Sequence, residues 1–392
     1  METPDRMYDV VIVGAGPGGL SAGLHLARHG LDVIVLEEHD AIGTPVHCTG
    51  ILAREAFDEF DLSRESILNE LTTARFLSPA GREVFYRSGA AEAVVIDRAL
   101  FDGRLAEQAQ RAGARLVRGV RAAAMRCDVD AVTVDVTGQR PLRARAGVLA
   151  CGGKYALHRQ LGFGLPSLFL HTAQCELPAA RPQDVELHFG RDIAPKGFAW
   201  AVPVWRDDRP YVRVGVMCET DAPRYFRRMV ERLRLVWGIQ VEAGCRPRQK
   251  ILPLTAISRT YANRLLVVGD AAGLVKPTTG GGIYYSLLSA KLAADVLRAA
   301  LDRDDLSSAM LAEYERRWRA RLGAELNAQL SLRTLAQQMS DGDIEKLFDL
   351  ARTDGVMPIV RRTASFNRHR KLILALFKHP PARQILFRSL AF

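Results

Sequence analysis

The chain has 392 residues, 48% hydrophobic and 25% charged, so it buries a globular core of one large or two to three smaller domains. That composition excludes a disordered chain, a fibre and a small disulfide-stapled module. The net charge of +10 is concentrated in the tail from Gly355 to Phe392, which holds eight Lys or Arg and no acid; such a tail, interleaved with apolar residues, points to an anionic membrane surface rather than to nucleic acid.

Tyr8 to Val13 is a short β-branched run that reads as a buried parallel strand. Gly14-Ala15-Gly16-Pro17-Gly18-Gly19 reads as a turn. Leu20 to His29 has helical spacing and stops at Gly30. Asp32 to Leu36 is a second strand ending at Glu37, which completes a βαβ unit. Residues 40–95 are mixed, with a turn-rich segment from Thr44 to Gly50. Arg98 to Ala112 is a helix, and Arg115 to Val120 and Ala131 to Thr137 are strands. Val148 to Cys151 is a strand running into Gly152-Gly153. Alternation at Val185, Leu187 and Phe189, then at Val212, Val214 and Val216, predicts an antiparallel sheet inserted into the first domain. Arg264 to Val268 is a further buried strand that leads into Gly269-Asp270, and Ile283 to Leu301 is a long helix. From about 305 onward the chain reads helical, with Ser340 and Asp343 spaced as a helix start.

The six cysteines, Cys48, Cys127, Cys151, Cys175, Cys218 and Cys245, show no CxxC spacing. Scattered thiols in a chain of this size read as reduced and cytoplasmic. The nine His residues form no metal-binding pattern, so no metal is expected. Val10 to Ala27 carries no Asp, Glu, Lys or Arg, but five glycines and a proline make it a strand–turn–helix rather than a membrane span. Asp5 and Asp9 before it make a poor signal peptide.

The glycine turn has chemistry attached. Gly14 permits the tight turn, Gly16 lets backbone approach a pyrophosphate, and Gly19 lets the helix pack on the strand. The helix N-terminus then offers free N–H groups to phosphates. A carboxylate at Glu37 can accept from both ribose hydroxyls and would repel a 2′-phosphate. Two later segments favour FAD over NAD. Asp270 can hold a ribitol hydroxyl, and Gly280-Gly281-Gly282 opens the helix at Ile283 with bare N–H groups that suit a reduced, anionic flavin.

These residues resemble a large flavoprotein group that includes aromatic hydroxylases, quinone reductases, flavin halogenases and geranylgeranyl reductases. The resemblance runs to about Leu301, and it implies that Arg98 contacts the flavin. Pro45-Val46-His47-Cys48-Thr49-Gly50 is similar to the Pro-x-x-Cys-Gly segment of geranylgeranyl reductases, with Thr49 inserted before the glycine. Gly197-Phe198-Ala199-Trp200-Ala201-Val202-Pro203 resembles their Tyr-x-Trp-x-Phe-Pro box, which lines the prenyl cavity. Phe198 and Val202 stand for the Tyr and Phe, keeping the wall apolar. The halogenase pattern requires an early Lys, and none precedes Lys154. The Cys-rich segment of membrane quinone reductases is absent after Cys245. Ala150-Cys151-Gly152-Gly153 lacks the hydroxylase Asp, which disfavours ring hydroxylation.

The resemblance therefore implies an α/β fold with a discontinuous Rossmann-like FAD-binding domain (1–160 with 250–304). An antiparallel-sheet substrate domain is inserted at 161–249, and a helical C-terminal region follows at 305–392. The cofactor set is Gly14, Ala15, Gly16, Pro17, Gly19, Glu37, Glu38, Arg98, Gly269, Asp270, Gly281, Gly282 and Ile283. His47, Phe198, Trp200 and Pro203 are the substrate set, and Cys48 is the catalytic candidate. The expected reaction reduces isolated C=C bonds of a prenyl or isoprenoid chain. A quinone side-chain reductase and a flavin monooxygenase stand as alternatives. With one dinucleotide fingerprint, the electron donor is either transiently bound NAD(P)H or a ferredoxin.

Overall fold

The computed structural model describes residues 6–241, 245–353 and 355–388. Asp5 and residues 389–392 of the basic tail lie outside the described residues. Strand β1 (Met7–Val13) is buried throughout its second half. Helix α1 (Pro17–Arg28) follows it, with Gly16 as N-cap and proline in the first turn, where a missing N–H costs nothing. The helix thus begins before Leu20, the start predicted from apolar spacing, because the glycines of the turn are already helical. Leu20, Leu24 and Leu26 are buried beneath it, each stabilising the unit by about 1.5–3 kcal/mol. Strand β2 (Val33–Leu36) lies parallel to β1.

Helix α2 (Arg98–Arg111) begins at Asp97, whose carboxylate accepts from Leu100 N at 3.0 Å. Strand β3 (Leu142–Leu149) is longer than the predicted Val148–Cys151, and its first half pairs antiparallel with Val132–Val136. Its second half pairs parallel with β1.

The second sheet has seven strands. Its centre is β4 (Phe169–Pro178), β5 (Phe198–Arg206) and β6 (Arg209–Cys218), joined antiparallel. Helix α3 (Ala222–Trp237) covers one face of this sheet. Its Phe226, Met229, Leu233 and Trp237 are buried with Ala199, Ala201, Val212, Val214 and Val216. The opposite face is left to other parts of the chain: Val202 and Val204 pack there with Val95 of a small three-stranded sheet, and Phe198 and Met217 pack with Leu170 and Leu254. The sheet also recruits strands from outside 161–249. Strand β7 (Arg248–Pro253) pairs with β4 on one edge. Thr73–Leu77 and Glu83–Arg87 extend the other, where Val185–His188 pairs with Thr73–Leu77 in parallel rather than antiparallel. Edge strands need partners for their N–H and C=O groups, and these come from the nearest chain in space, not in sequence.

Strand β8 (Leu265–Val267) pairs parallel with β3, so the first sheet contains five parallel strands in the order β8, β3, β1, β2 and Arg115–Val117. Helix α4 (Ile283–Asp302) packs against α1. The C-terminal region is helical as predicted. Ser340 Oγ accepts from Asp343 N at 3.1 Å, and Asp343 Oδ2 accepts from Ser340 N at 3.2 Å, a reciprocal cap that starts the helix Asp341–Thr353. The tail folds as α5 (Val356–Thr363), α6 (Arg370–Lys378) and α7 (Pro380–Phe387), burying Ile373, Ala382 and Leu386.

Gly14 has φ +105°, and a Cβ there would stand 2.5 Å from the Ala150 carbonyl oxygen at the end of β3. Gly14→Ala therefore combines backbone strain of ~1–3 kcal/mol with a clash against main chain. Its urea midpoint should fall with an unchanged m-value; an unchanged midpoint would contradict this packing.

Candidate active site

The predicted cofactor residues gather where β1, β2, β3 and β8 end, the crevice in which open parallel sheets bind ligands. Gly14 N donates to Leu36 O at 2.8 Å, which folds the turn back on β2. A Cβ on Gly19 would fall 1.8 Å from the Gly14 carbonyl oxygen, so only glycine lets α1 start this close to the strand. At Gly16 nothing lies within 4 Å, which leaves backbone open to a phosphate group. Glu37 accepts from Ala15 N at 2.9 Å and from His39 N at 3.1 Å, bracing the turn while its oxygens keep spare lone pairs. Glu38 pairs with Lys154.

Arg98 lies in the first turn of α2 and pairs with Asp102 at 2.7 Å. Its Nε is buried without a partner, which leaves one donor for a bound group. Asp270 follows β8, and a Cβ on Gly282 would meet its Oδ1 at 2.5 Å. Asp270 Oδ2 also accepts from Lys250 Nζ at 2.9 Å. Lys250 is a site residue that sequence reasoning missed, because nothing local distinguishes it from any other strand lysine. The glycine turn, open at Gly16, the orphaned Arg98 Nε and the Asp270 corner fit a dinucleotide such as FAD.

The glycine loop presses on the second sheet. A Cβ on Gly280 would meet Leu252 Cδ2 at 2.5 Å and Met217 Sδ at 3.3 Å. The sheet face turned toward it changes character along its length. At one end Leu170, Phe198, Met217 and Leu254 form an apolar cluster, with Trp200 and Leu252 packed on it. Phe189, Phe198 and Trp200 stack in sequence with centroids 6.0 and 5.8 Å apart. At the other end Glu176 binds Arg213 at 2.7 Å and Arg206 at 2.5 Å, and Arg206 reaches Asp97 at 2.5 Å. These ion pairs hold the Glu176 and Asp97 carboxyls below their ordinary values, the guanidinium contacts outweighing partial burial. Arg213 also donates to Thr49 O and Ile96 O at 2.5 and 2.9 Å, tying the Cys48 loop to the sheet.

Trp200 crosses directly over β6. A Cβ on Gly215 would fall 2.2 Å from Trp200 Cζ2, and the indole Nε1 is buried without a partner. Gly215 is a second missed residue; its signal was a glycine interrupting the Val212–Val216 alternation. Phe198, Trp200 and Val202 share a face, as strand alternation requires. Pro203 does not join them: it pairs with Val212 and lies on the opposite side with Ala199 and Ala201. His47 is exposed on its loop, and partial desolvation with the charges of Lys250 and Arg248 lowers its imidazole pKa. Cys48 Sγ accepts from Gly50 N at 3.3 Å and lines a cavity of about 520 Å³ with Arg98, Gln174, Glu176, Arg206 and Tyr211. A cavity of about 710 Å³ between Lys346 and α7 shares no residue with this site.

Residues 9–352 match the family described as lycopene cyclase protein. A digeranylgeranylglycerophospholipid reductase of Methanocaldococcus jannaschii is 31% identical, over 88% of this chain and 91% of its own length. One from Methanosphaerula palustris is 30% identical over 95% of each. Among solved structures, a geranylgeranyl bacteriochlorophyll reductase-like protein of Thermoplasma acidophilum aligns with a TM-score of 0.85 at 24% identity, covering 98% of this chain and 99% of its own. The halogenase PltM in complex with FAD aligns at 0.68 and 17%, covering 98% of this chain and 86% of its own. At those identities the two structures show a shared fold. Fold and site together define an FAD-dependent oxidoreductase. Within that class, the chain belongs to the geranylgeranyl reductase family.

Asp270→Ala removes the carboxylate that meets Lys250 and faces the glycine loop. Losing a buried, charge-assisted hydrogen bond costs ~1–3 kcal/mol. The variant should therefore bind FAD roughly 5- to 150-fold more weakly, as read by equilibrium dialysis; unchanged affinity would remove Asp270 from the site.

Proposed function

We propose that this protein reduces isolated C=C bonds in the long isoprenoid chain of a prenyl lipid. One observation carries the reading: the sheet face under the glycine loop runs from an aromatic and aliphatic end to a charged end. A prenyl lipid has that same polarity, with an apolar chain joined to a polar head. The curated relatives act on geranylgeranyl groups of a glycerophospholipid by name.

In this reading Gly14–Gly19, Glu37, Arg98, Asp270 and the loop Gly280–Gly282 hold FAD. Bound and reduced, FAD supplies the hydride that an unactivated alkene requires. Phe198 and Trp200 hold the chain flat, and Leu170, Leu252 and Met217 keep water from the reacting bond. Proximity and dehydration are the main levers such a reaction leaves to a protein. Cys48 is the proposed proton donor or steering group: Gly50 N–H occupies a sulfur lone pair, which leaves the S–H free to point into the cavity. The electrons come from NAD(P)H or a ferredoxin.

We further propose that the tail rests on an anionic membrane. Leu374 and Phe387 are exposed among its basic residues. Among the described residues no helix is long and apolar enough to cross a membrane. Binding to vesicles of phosphatidylglycerol should weaken with salt, at about 1 kcal/mol per basic residue near the surface. Indifference to such vesicles at low salt would leave the tail a folded helix cluster only.

The substrate reading is tested by incubating chemically reduced holoprotein with geranylgeranyl lipids and scanning products for steps of about 2 Da by mass spectrometry. Gly215→Ala should displace the Trp200 ring and lower the rate on long chains at least ~10-fold, with FAD content unchanged. Oxygen insertion into aromatic compounds, or normal prenyl turnover in that variant, would overturn the assignment.

A further inference from the structure

Three cations of the site face have carboxylate partners. Lys250 meets Asp270, Arg98 meets Asp102 and Arg213 meets Glu176. Lys276 differs. Only 3% exposed, it directs its ammonium to the Phe366 carbonyl at 2.8 Å and to Asn367 Oδ1 at 3.2 Å, and it lies 4.3 Å from the centre of the Phe366 ring. Among the described residues no carboxylate lies within ion-pair distance of it.

Lys276 also closes the glycine loop. Gly280 N donates to Lys276 O at 2.8 Å, and Lys276 N donates to Gly281 O at 3.1 Å. Its side chain then folds back beneath the loop. A Cβ on Gly281 would fall 2.9 Å from Lys276 Cε and 3.5 Å from Nζ. The buried charge thus stands directly behind the backbone that opens α4.

The groups facing it are neutral or engaged elsewhere. Glu55 accepts from Asn367 Nδ2 at 3.0 Å. Glu325 accepts from the backbone of His369 and Arg370 and from Gln329. Burial and the charge of Lys276 push His369 down to about 4, so it is neutral near pH 7. Burial raises the Tyr285 phenol, which stays protonated and donates to Asn367 O at 3.3 Å. Burial likewise pushes Lys276 down to about 7, with Glu325 and Glu55 opposing the shift.

We propose that Lys276 is a positioning residue for the reduced cofactor: its ammonium, held behind Gly281, stabilises the negative charge that two-electron reduction places on FAD, and it binds a proton as that charge appears. This rests on the FAD assignment above. The balance is FAD + 2 e⁻ + H⁺ → FADH⁻, with a second proton from solvent converting the Lys276 amine to ammonium. Charge near the pyrimidine edge is a recognised lever on flavin electronics. Below pH 7 the lysine is already protonated, so the extra uptake appears only above it.

The test uses FAD-loaded full-length protein reduced by dithionite, with the potential read against a reference dye and proton uptake read from the slope of that potential against pH, about 30 mV per pH unit for each proton taken up per two electrons. At pH 8 the wild type should take up more than one proton per two electrons. Lys276→Met should take up one, and its preference for reduced over oxidised FAD should drop about tenfold, or roughly 30 mV for a two-electron couple. Lys276→Arg should keep the wild-type preference with uptake of one, since guanidinium stays protonated. Asn367→Ala, which loosens the same docking contact, should keep the extra uptake. Uptake of one proton by wild type, or a Met variant matching wild type in both readings, overturns the proposal without touching FAD binding. Wild type that retains no FAD overturns the flavin assignment itself.

Discussion

The structure depends on a contact between a loop of glycines and a sheet built from another part of the chain. Gly280 lies against Leu252 and Met217, and Gly282 against Asp270, which Lys250 holds from the same strand as Leu252. A side chain at Gly280 would drive the two layers apart, and one at Gly282 would displace the Asp270 carboxylate. Interiors are packed too densely to absorb a displaced methyl group without cost. This close approach brings the crevice at the ends of β1, β2, β3 and β8 against the second sheet.

The sheet face at that contact is the one α3 does not cover. The helix takes up the other side of β4, β5 and β6 with Phe226, Met229, Leu233 and Trp237. Alternation then sends Phe198, Trp200, Arg206 and Arg213 to the face away from α3. The charged end of the face does structural work as well, since Arg213 ties the Cys48 loop and the strand Ala93–Ile96 to the sheet through Thr49 O and Ile96 O. Buried guanidinium groups are tolerated here because each meets carboxylates or carbonyls; an unpaired one would cost several kcal/mol. The same arrangement grades the sheet face from apolar to charged.

The C-terminal region belongs to this design. Its Phe366–His369 segment reaches beneath the glycine loop, where Asn367 links Lys276 to Glu55, and His369 Nδ1 lies 2.7 Å from the Thr278 hydroxyl. A region that reads only as a basic helical tail is thereby coupled to the glycine loop.

Much of this was legible from residues adjacent in the chain. The turn Gly14–Gly19, its carboxylate at Glu37, the Gly269-Asp270 corner and the Ser340–Asp343 cap follow from backbone demands that a few consecutive residues meet by themselves. The amphipathic strands of the second sheet were visible in their alternation, although Pro203 shows how one residue of register reverses a side chain's face. Only the tertiary structure decided which strands complete that sheet, that Gly215 makes room for Trp200, that Lys250 answers Asp270, and that Lys276 is buried with no acid paired to it among the described residues. Those features join segments tens to hundreds of residues apart. Packing and the pairing of buried charge arise where such segments meet in space, and no local pattern of residues encodes that meeting.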